Sequence, residues 1–164
     1  MAAPQGVNFD GTNDYLTRGA GLTDAADSKL LTVSFWFKST SATQGEIIRA
    51  VSGTSQRFVI RYDGGTTDLF RLIFYSGATV VCHMTTGAGI TISDGAWHHL
   101  CFSIDLADTS KRHIYFDDVS SLTAITYTNT AMDFTLDDWA VGGSPTGGNL
   151  FAGDLAQLAV RHRS

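Results

Sequence analysis

Along most of this chain, apolar positions recur every second residue. In LLTVSFWFK, Leu31, Val33, Phe35 and Phe37 fall on one side, and Thr32, Ser34, Trp36 and Lys38 on the other. Successive strand residues point to opposite faces, so the segment predicts a strand with one buried face. RFVIRYD repeats the pattern, with Phe58, Ile60 and Tyr62 opposite Arg57, Val59 and Arg61. LFRLIFYS and TVVCHM follow, parted by Ser76 and Gly77, and predict a hairpin. RHIYFDDV, FTLDDWAVGG and GDLAQLAV predict three later strands. The polar segments STSATQGE, DGGTTD, TGAGITISDG, DLADTSK and GGSPTGGN read as turns. Helical periodicity is nearly absent, and GLTDAADSKL is the one segment with room for a helical turn. Short strands at regular spacing with glycine-bearing turns imply an all-β, antiparallel β-sandwich.

The length of 164 residues fits a single domain over 1–164 with a real core. The apolar fraction of 43% excludes a disordered chain, and a charged fraction of only 16% leaves Thr, Ser, Gly and Asn to cover the surface. A formal charge of −5, with arginines scattered, speaks against nucleic acid as a partner. The apolar runs are too short for membrane insertion. MAAPQGVNFDG has neither the basic start nor the apolar stretch of a secretory signal. An extracellular role is then expected to be reached by another route, such as release by lysis within a virus particle. Arg161 and Arg163 read as a frayed tail. Cys82 and Cys101 admit two readings, a pair of semi-buried thiols or one cross-strand bridge.

The pair His98-His99, in DGAWHHLCFSID, invites a metal or catalytic reading. On a strand their rings diverge: His98 joins Leu100, Phe102 and Ile104, and His99 joins Cys101 and Ser103. A metal needs three or four convergent ligands. His98 is therefore expected at the core edge with its ring nitrogens hydrogen-bonded, and His99 is the one expected to meet solvent or a ligand. GGSPTGGN lacks the lysine and following helix of a phosphate loop.

Taken in order, these segments resemble laminin-G-like domains of the concanavalin A-like lectin/glucanase superfamily. FDGTNDYLT, Phe9 to Thr17, resembles the first strand, and LTVSFWFK a strand with a tryptophan near its end, here Trp36. DGAWHHLCFSID resembles the Trp-His strand, and RHIYFDDV the next strand and turn, with Asp117-Asp118 where Asp-Gly is usual. Val-Gly-Gly and FAGDLAQLAV resemble the glycine turn and closing strand. The resemblance spans essentially the whole chain. It implies a concanavalin A-like jelly roll of two antiparallel sheets, with first and last strands adjacent. The closing strand departs from the pattern, since Leu155-Ala156-Gln157-Leu158 leaves two usually acidic positions neutral.

Calcium is common in the family, on rim carboxylates and carbonyls. Asp63, Asp68, Asp94, Asp137 and Asp138 are the candidates here. Calcium takes about six to eight oxygens, and turn aspartates commonly close Asx turns, so no cofactor is expected and calcium stands as the alternative. The related glucanases use Glu-x-Asp-x-x-Glu on one strand face. This chain has one glutamate, Glu46, in a segment that reads as a loop, and FDDV and LDDW place adjacent aspartates on opposite faces. Glycoside hydrolysis uses two carboxylates about 5–9 Å apart, so the chain is expected not to be an enzyme.

Jelly rolls of this family bind glycans or proteins through rim loops or a sheet face. Trp36, Tyr62 and Trp139 are candidate sugar platforms, with Arg61, Asp63, Arg71, Asn149 and His99 as polar contacts. A free-standing domain without a secretion signal looks like proteins of bacteriophage particles, which decorate heads or form parts of tails and fibres. The resemblance implies a virion-associated structural and surface-recognition protein, on a virion or extracellular surface. Its partners would be other virion proteins or itself, and surface glycans. The alternative is a carbohydrate-binding or adhesion module of a larger secreted protein.

Overall fold

A computed structural model describes residues 5–53, 56–63, 68–87 and 89–163. The strands are β1 (Val7–Asp10), β2 (Leu16–Arg18), β3 (Leu30–Lys38), β4 (Gly45–Ser52), β5 (Gln56–Asp63), β6 (Leu69–Ser76), β7 (Thr79–Thr86), β8 (His98–Asp105), β9 (His113–Phe116), β10 (Val119–Ser120), β11 (Leu122–Tyr127), β12 (Asp138–Val141) and β13 (Ala152–Arg163). They form a six-stranded sheet, β1-β13-β3-β8-β9-β10, and a seven-stranded sheet, β11-β7-β6-β5-β4-β12-β2. Every pairing is antiparallel. First and last strands lie side by side, with Phe9 opposite Gly153.

The alternation in β3 buries Leu31, Val33, Phe35 and Phe37 against the opposing sheet. Phe70 of β6 closes the gap between the layers: its ring centroid lies 5.9 Å from Phe35 and 4.8 Å from Phe37. Further along, Phe58 stacks on Phe74 at 4.4 Å and takes the edge of Trp139 at 6.0 Å. Burying each such side chain stabilises the fold by about 1.5–3 kcal/mol.

Several local expectations are corrected. Arg161 and Arg163 are not frayed: Arg161 pairs with Thr32 and Arg163 with Leu30, in a strand bent by a bulge between Ala156 and Ala159. GLTDAADSKL holds a turn closed by Ala25 N–H on the Leu22 carbonyl (3.2 Å), not a helical turn. The one short helix among the described residues is a 3-10 turn at Thr109–Lys111, inside DLADTSK. RHIYFDDV divides into β9, a two-residue turn at Asp117-Asp118, and β10. In DGGTTD, residues 64–67 lie outside the described residues, as does residue 88 of TGAGITISDG.

The histidines diverge as the alternation requires. His98 lies at the core edge, its ring 4.9 Å from Phe116, with Nδ1 2.7 Å from Asp117 and Nε2 3.0 Å from Asp94. His99 points the other way, its Nε2 2.8 Å from Ser34 Oγ and its ring 5.1 Å from Trp36. Cys82 and Cys101 are free and sit on different sheets, which sets the bridge aside. Burial pushes the Cys82 thiol up to about 12, so it stays protonated.

Candidate functional site

The strands β4 to β7 turn one face toward the core and the other outward. In β5, Phe58, Ile60 and Tyr62 are buried inward, so Arg57, Val59, Arg61 and Asp63 face out. The register sets Glu46, Arg61, Arg71 and Thr85 in one row across the sheet, and Arg49, Val59, Ile73 and His83 in the next. Val59 and Ile73 are only 5% and 7% exposed although they face outward. Such covering arises where long arginine stems lie across an apolar strip.

The charges on this face pair closely. Asp63 lies between two guanidinium groups, with Oδ1 3.0 Å from Arg61 Nε and Oδ2 against Arg71 Nε. Glu46 Oε1 accepts from Arg49 Nη1 at 2.9 Å and from Asn149 Nδ2 at 3.0 Å. The Glu46 backbone N–H donates to the Asn149 carbonyl at 2.8 Å, which fastens the loop after β12 to this strand. Burial, then the positive charges of Arg71 and Arg61, hold His83 below the usual histidine value, so its ring is neutral at pH 7.

The pairing leaves hydrogen-bonding capacity over. Among the described residues, six buried side-chain polar atoms lack an aligned hydrogen-bond partner, and five of them share this face: Glu46 Oε2, Arg49 Nε, Arg61 Nε, Arg71 Nε and His83 Nε2. Arg61 and Arg71 touch Asp63 as charges, but their Nε–H bonds are not aimed for hydrogen bonding. Buried polar groups are nearly always satisfied, so such a cluster is unusual, and the arginine side chains that carry it are still 25–31% exposed on the outer face. Beside it, where β2, β4, β5 and β12 meet the loop after β12, lies a cavity of about 430 Å³. Arg49 belongs to both the network and the cavity.

Of the residues singled out from the sequence, the fold brings together Arg61, Asp63, Arg71 and Asn149. The others lie elsewhere. Tyr62 is 2% exposed on the inner face, with its hydroxyl donating to Asp68 at 3.3 Å, so it is no sugar platform. Trp139 is likewise a core residue, 8% exposed, with Nε1 donating to the Leu136 carbonyl at 2.9 Å. Trp36 and His99 pack against each other, with their rings tilted, on the outer face of the opposite sheet.

Glu46 is not in a loop: it belongs to β4 and is 2% exposed. It was missed with Arg49 because GEIIRAVS lacks a clean two-residue rhythm. His83 was legible in principle, since in VCHM it is the polar position of an alternating strand.

The fold does not gather the five candidate aspartates; each has its own surroundings. Asp63 is taken up by two arginines, Asp94 by His98 and the Ala96 N–H, and Asp137 by Ser52 Oγ at 2.6 Å. Asp68 meets Tyr62, and Asp138 lines the arginine-bearing cavity. No group of three or more His, Cys, Asp or Glu that could hold a metal occurs among the described residues.

Comparison with known proteins places this geometry. The fold of the mouse laminin α1 chain, domains LG4-5, is similar over 99% of this chain and 44% of that one, at 16% identity and a TM-score of 0.69. Domain 4 of AbnA, an extracellular arabinanase from Geobacillus stearothermophilus solved with arabinotriose, is similar over 94% of this chain and 69% of that one, at 17% identity and 0.66. Full-length tailspike protein 2 from Escherichia coli O157:H7 bacteriophage CAB120 is similar over 97% of this chain and 23% of that one, at 15% identity and 0.60. The chain thus spans under half the length of the laminin fragment and about a quarter of the tailspike. At these identities the likeness is one of fold. No curated protein matches in sequence. A laminin G-type family model described as the concanavalin A-like lectin/glucanases superfamily matches residues 10–164, so the chain belongs to that superfamily.

Proposed function

We propose that this chain is a non-catalytic recognition domain, carried on a virus particle, that binds surface glycans through the outer face of its seven-stranded sheet. The observation that carries the reading is the outward row of part-exposed arginines, Arg49, Arg61 and Arg71, held in place by the Glu46 and Asp63 carboxylates. Sugar hydroxyls donate and accept at once, and so suit a face that offers guanidinium N–H groups beside a carboxylate oxygen. The arabinotriose complex of a similarly folded domain supports this ligand class. A non-catalytic role is supported by Glu46, the only glutamate, whose Oε1 is bound by an arginine and an asparagine. The tailspike likeness supports the particle setting.

The test is a glycan array read with the wild type and with a variant carrying Arg61→Ala and Arg71→Ala. Binding is expected, with at least a tenfold loss in the variant, because hydrogen bonds to charged groups contribute about 1.5–3 kcal/mol each. Equal binding by both proteins, or none by either, would overturn the reading. The particle half is tested by mass spectrometry of purified particles from the source genome. Gene neighbours encoding secreted hydrolases, with no capsid or tail proteins, would remove it.

A second reading, a carbohydrate-binding or adhesion module within a larger secreted protein, is favoured by one observation. The similar domains are parts of longer chains, 44% of the laminin fragment and 69% of the arabinanase one. It predicts the same glycan binding and no copies on particles.

A further inference from the structure

In the network three arginines meet two carboxylates, Arg61 and Arg71 sharing Asp63 and Arg49 taking Glu46. The cavity beside it is lined by three arginine residues, Arg18, Arg49 and Arg57, and by one acidic residue, Asp138. Arg49 is already paired with Glu46. Among the described residues, Arg18 and Arg57 form no ion pair. Arg18 reaches only the Thr23 hydroxyl, at 3.4 Å. The Arg57 guanidinium lies 4.0 Å over the Tyr75 ring, which holds it in place without neutralising it. This excess of positive charge stands in a chain whose formal charge is −5.

We infer that this cavity is an acidic-group subsite: it receives the carboxylate or sulfate of an anionic saccharide whose neighbouring sugar lies over the Glu46–Arg61–Arg71 row. The inference rests on the glycan reading above and narrows it. Three features support it. Guanidinium groups offer paired N–H donors that match the two oxygens of a carboxylate or sulfate. Ser144 and Thr146 add hydroxyls from the loop after β12. That loop is held in shape by Gly148 N–H on Ser144 Oγ at 2.8 Å and by the Asn149–Glu46 bond, so the subsite is formed before a ligand arrives. The volume of about 430 Å³ lies within the usual range of small-molecule sites and holds an anionic substituent with part of its ring. Arg49 connects the cavity to the network, so one ligand can occupy both.

The experiment measures affinity by calorimetry for matched pairs, lactose against its sulfated form and a neutral disaccharide against its uronate counterpart, with wild type, Arg57→Gln and Arg57→Lys. Inorganic sulfate is titrated alongside. The wild type is expected to favour the acidic member of a pair by about tenfold or more. Arg57→Gln should collapse that preference and Arg57→Lys should retain part of it, all three proteins melting at similar temperatures. Arg57 faces outward over Tyr75, so neither substitution opens the core. Equal affinity within each pair, or a preference that survives Arg57→Gln, would overturn the inference while leaving glycan binding itself intact. Inorganic sulfate binding as tightly as the sulfated sugar would also overturn it, in favour of a free-anion site. Failure of every saccharide on array and calorimeter would remove the glycan reading, and this inference with it.

Discussion

His98 Nδ1 lies 2.7 Å from Asp117 Oδ2, joining the start of β8 to the tight turn between β9 and β10. The other ring nitrogen meets Asp94 at 3.0 Å, so both nitrogens face carboxylates. Burial opposes the charged ring, but the hydrogen bonds to Asp117 and Asp94, helped by their charges, outweigh it and raise His98 above its ordinary value. The folded state therefore holds this proton more tightly than the unfolded state. The resulting stabilisation is complete below about pH 6.5 and is lost as pH rises through the folded value. Melting temperature should fall between about pH 6 and 8 in the wild type and change less in His98→Gln. Thermal melts across that range check this, and parallel pH profiles for the two proteins would refute it.

The turn itself offers a second test. Asp117 and Asp118 have φ of +47° and +64°, the left-handed pair that a two-residue hairpin turn requires. Asp117 is committed, since it binds His98 and also accepts the His99 backbone N–H at 2.8 Å. No such bond is seen from Asp118, which is exposed. Asp118→Gly relieves the Cβ penalty and should stabilise the protein by about 0.5–1 kcal/mol, whereas Asp117→Gly, which cuts the same penalty but loses both contacts, should destabilise it. Urea midpoints read both changes.

Gly142 follows β12 with φ of +81°, and a Cβ there would overlap the ring of Phe9, a buried residue of the first strand. Both the conformation and the contact require glycine. Gly142→Ala should cost about 2–4 kcal/mol, the sum of left-handed strain and an overpacked core. Phe9→Leu in the same chain should recover part of that loss, because the shorter side chain vacates the contact. A double-mutant cycle by urea denaturation measures the recovery.

Much of this fold was legible because burial on one face imposes a two-residue rhythm. The strands β3, β5, β6, β7 and β8 carry it plainly, and their registers follow from it. β4 did not, because Glu46, Ile47 and Ile48 are all buried across a bulge, which erases the alternation. β2 is three exposed residues, and no periodicity can show in so short a run. β11 follows the two-residue β10 almost at once, so no turn signal separates them. At the site, Arg61, Asp63 and Arg71 could be named from strand parity alone. Their partners could not, since Glu46 reaches the network through the bulged strand and Asn149 from a loop more than a hundred positions away. Aromatic residues misled for a simple reason: a sandwich core takes large rings first, and Tyr62 and Trp139 went there.

Trp36 and His99 allow the two sheet faces to be told apart. Their tilted rings pack together on the outer face of the six-stranded sheet, away from the arginines. His99→Ala and Trp36→Phe should therefore leave glycan affinity within about twofold, well inside the loss expected for Arg61→Ala with Arg71→Ala. Array signal that vanishes with His99→Ala, in protein of unchanged melting temperature, would move the site to the other sheet.

Glu46 gives the sharpest separation of structure from chemistry. Its side chain is 3% exposed and holds Arg49, whose own side chain is 25% exposed, while also holding Asn149 from the loop. Glu46→Gln keeps the shape and an acceptor for Asn149 but leaves Arg49 without a counter-charge. Breaking a fully buried pair costs about 3–5 kcal/mol, and the partial exposure of Arg49 reduces this to about 1–2 kcal/mol. Glu46→Leu also removes the acceptor for Asn149 and should cost more, because the loop after β12 loses its anchor. Arg49→Gln added to Glu46→Gln should restore part of the stability, since no unpaired charge then remains. Urea midpoints for the single and double variants yield the coupling directly.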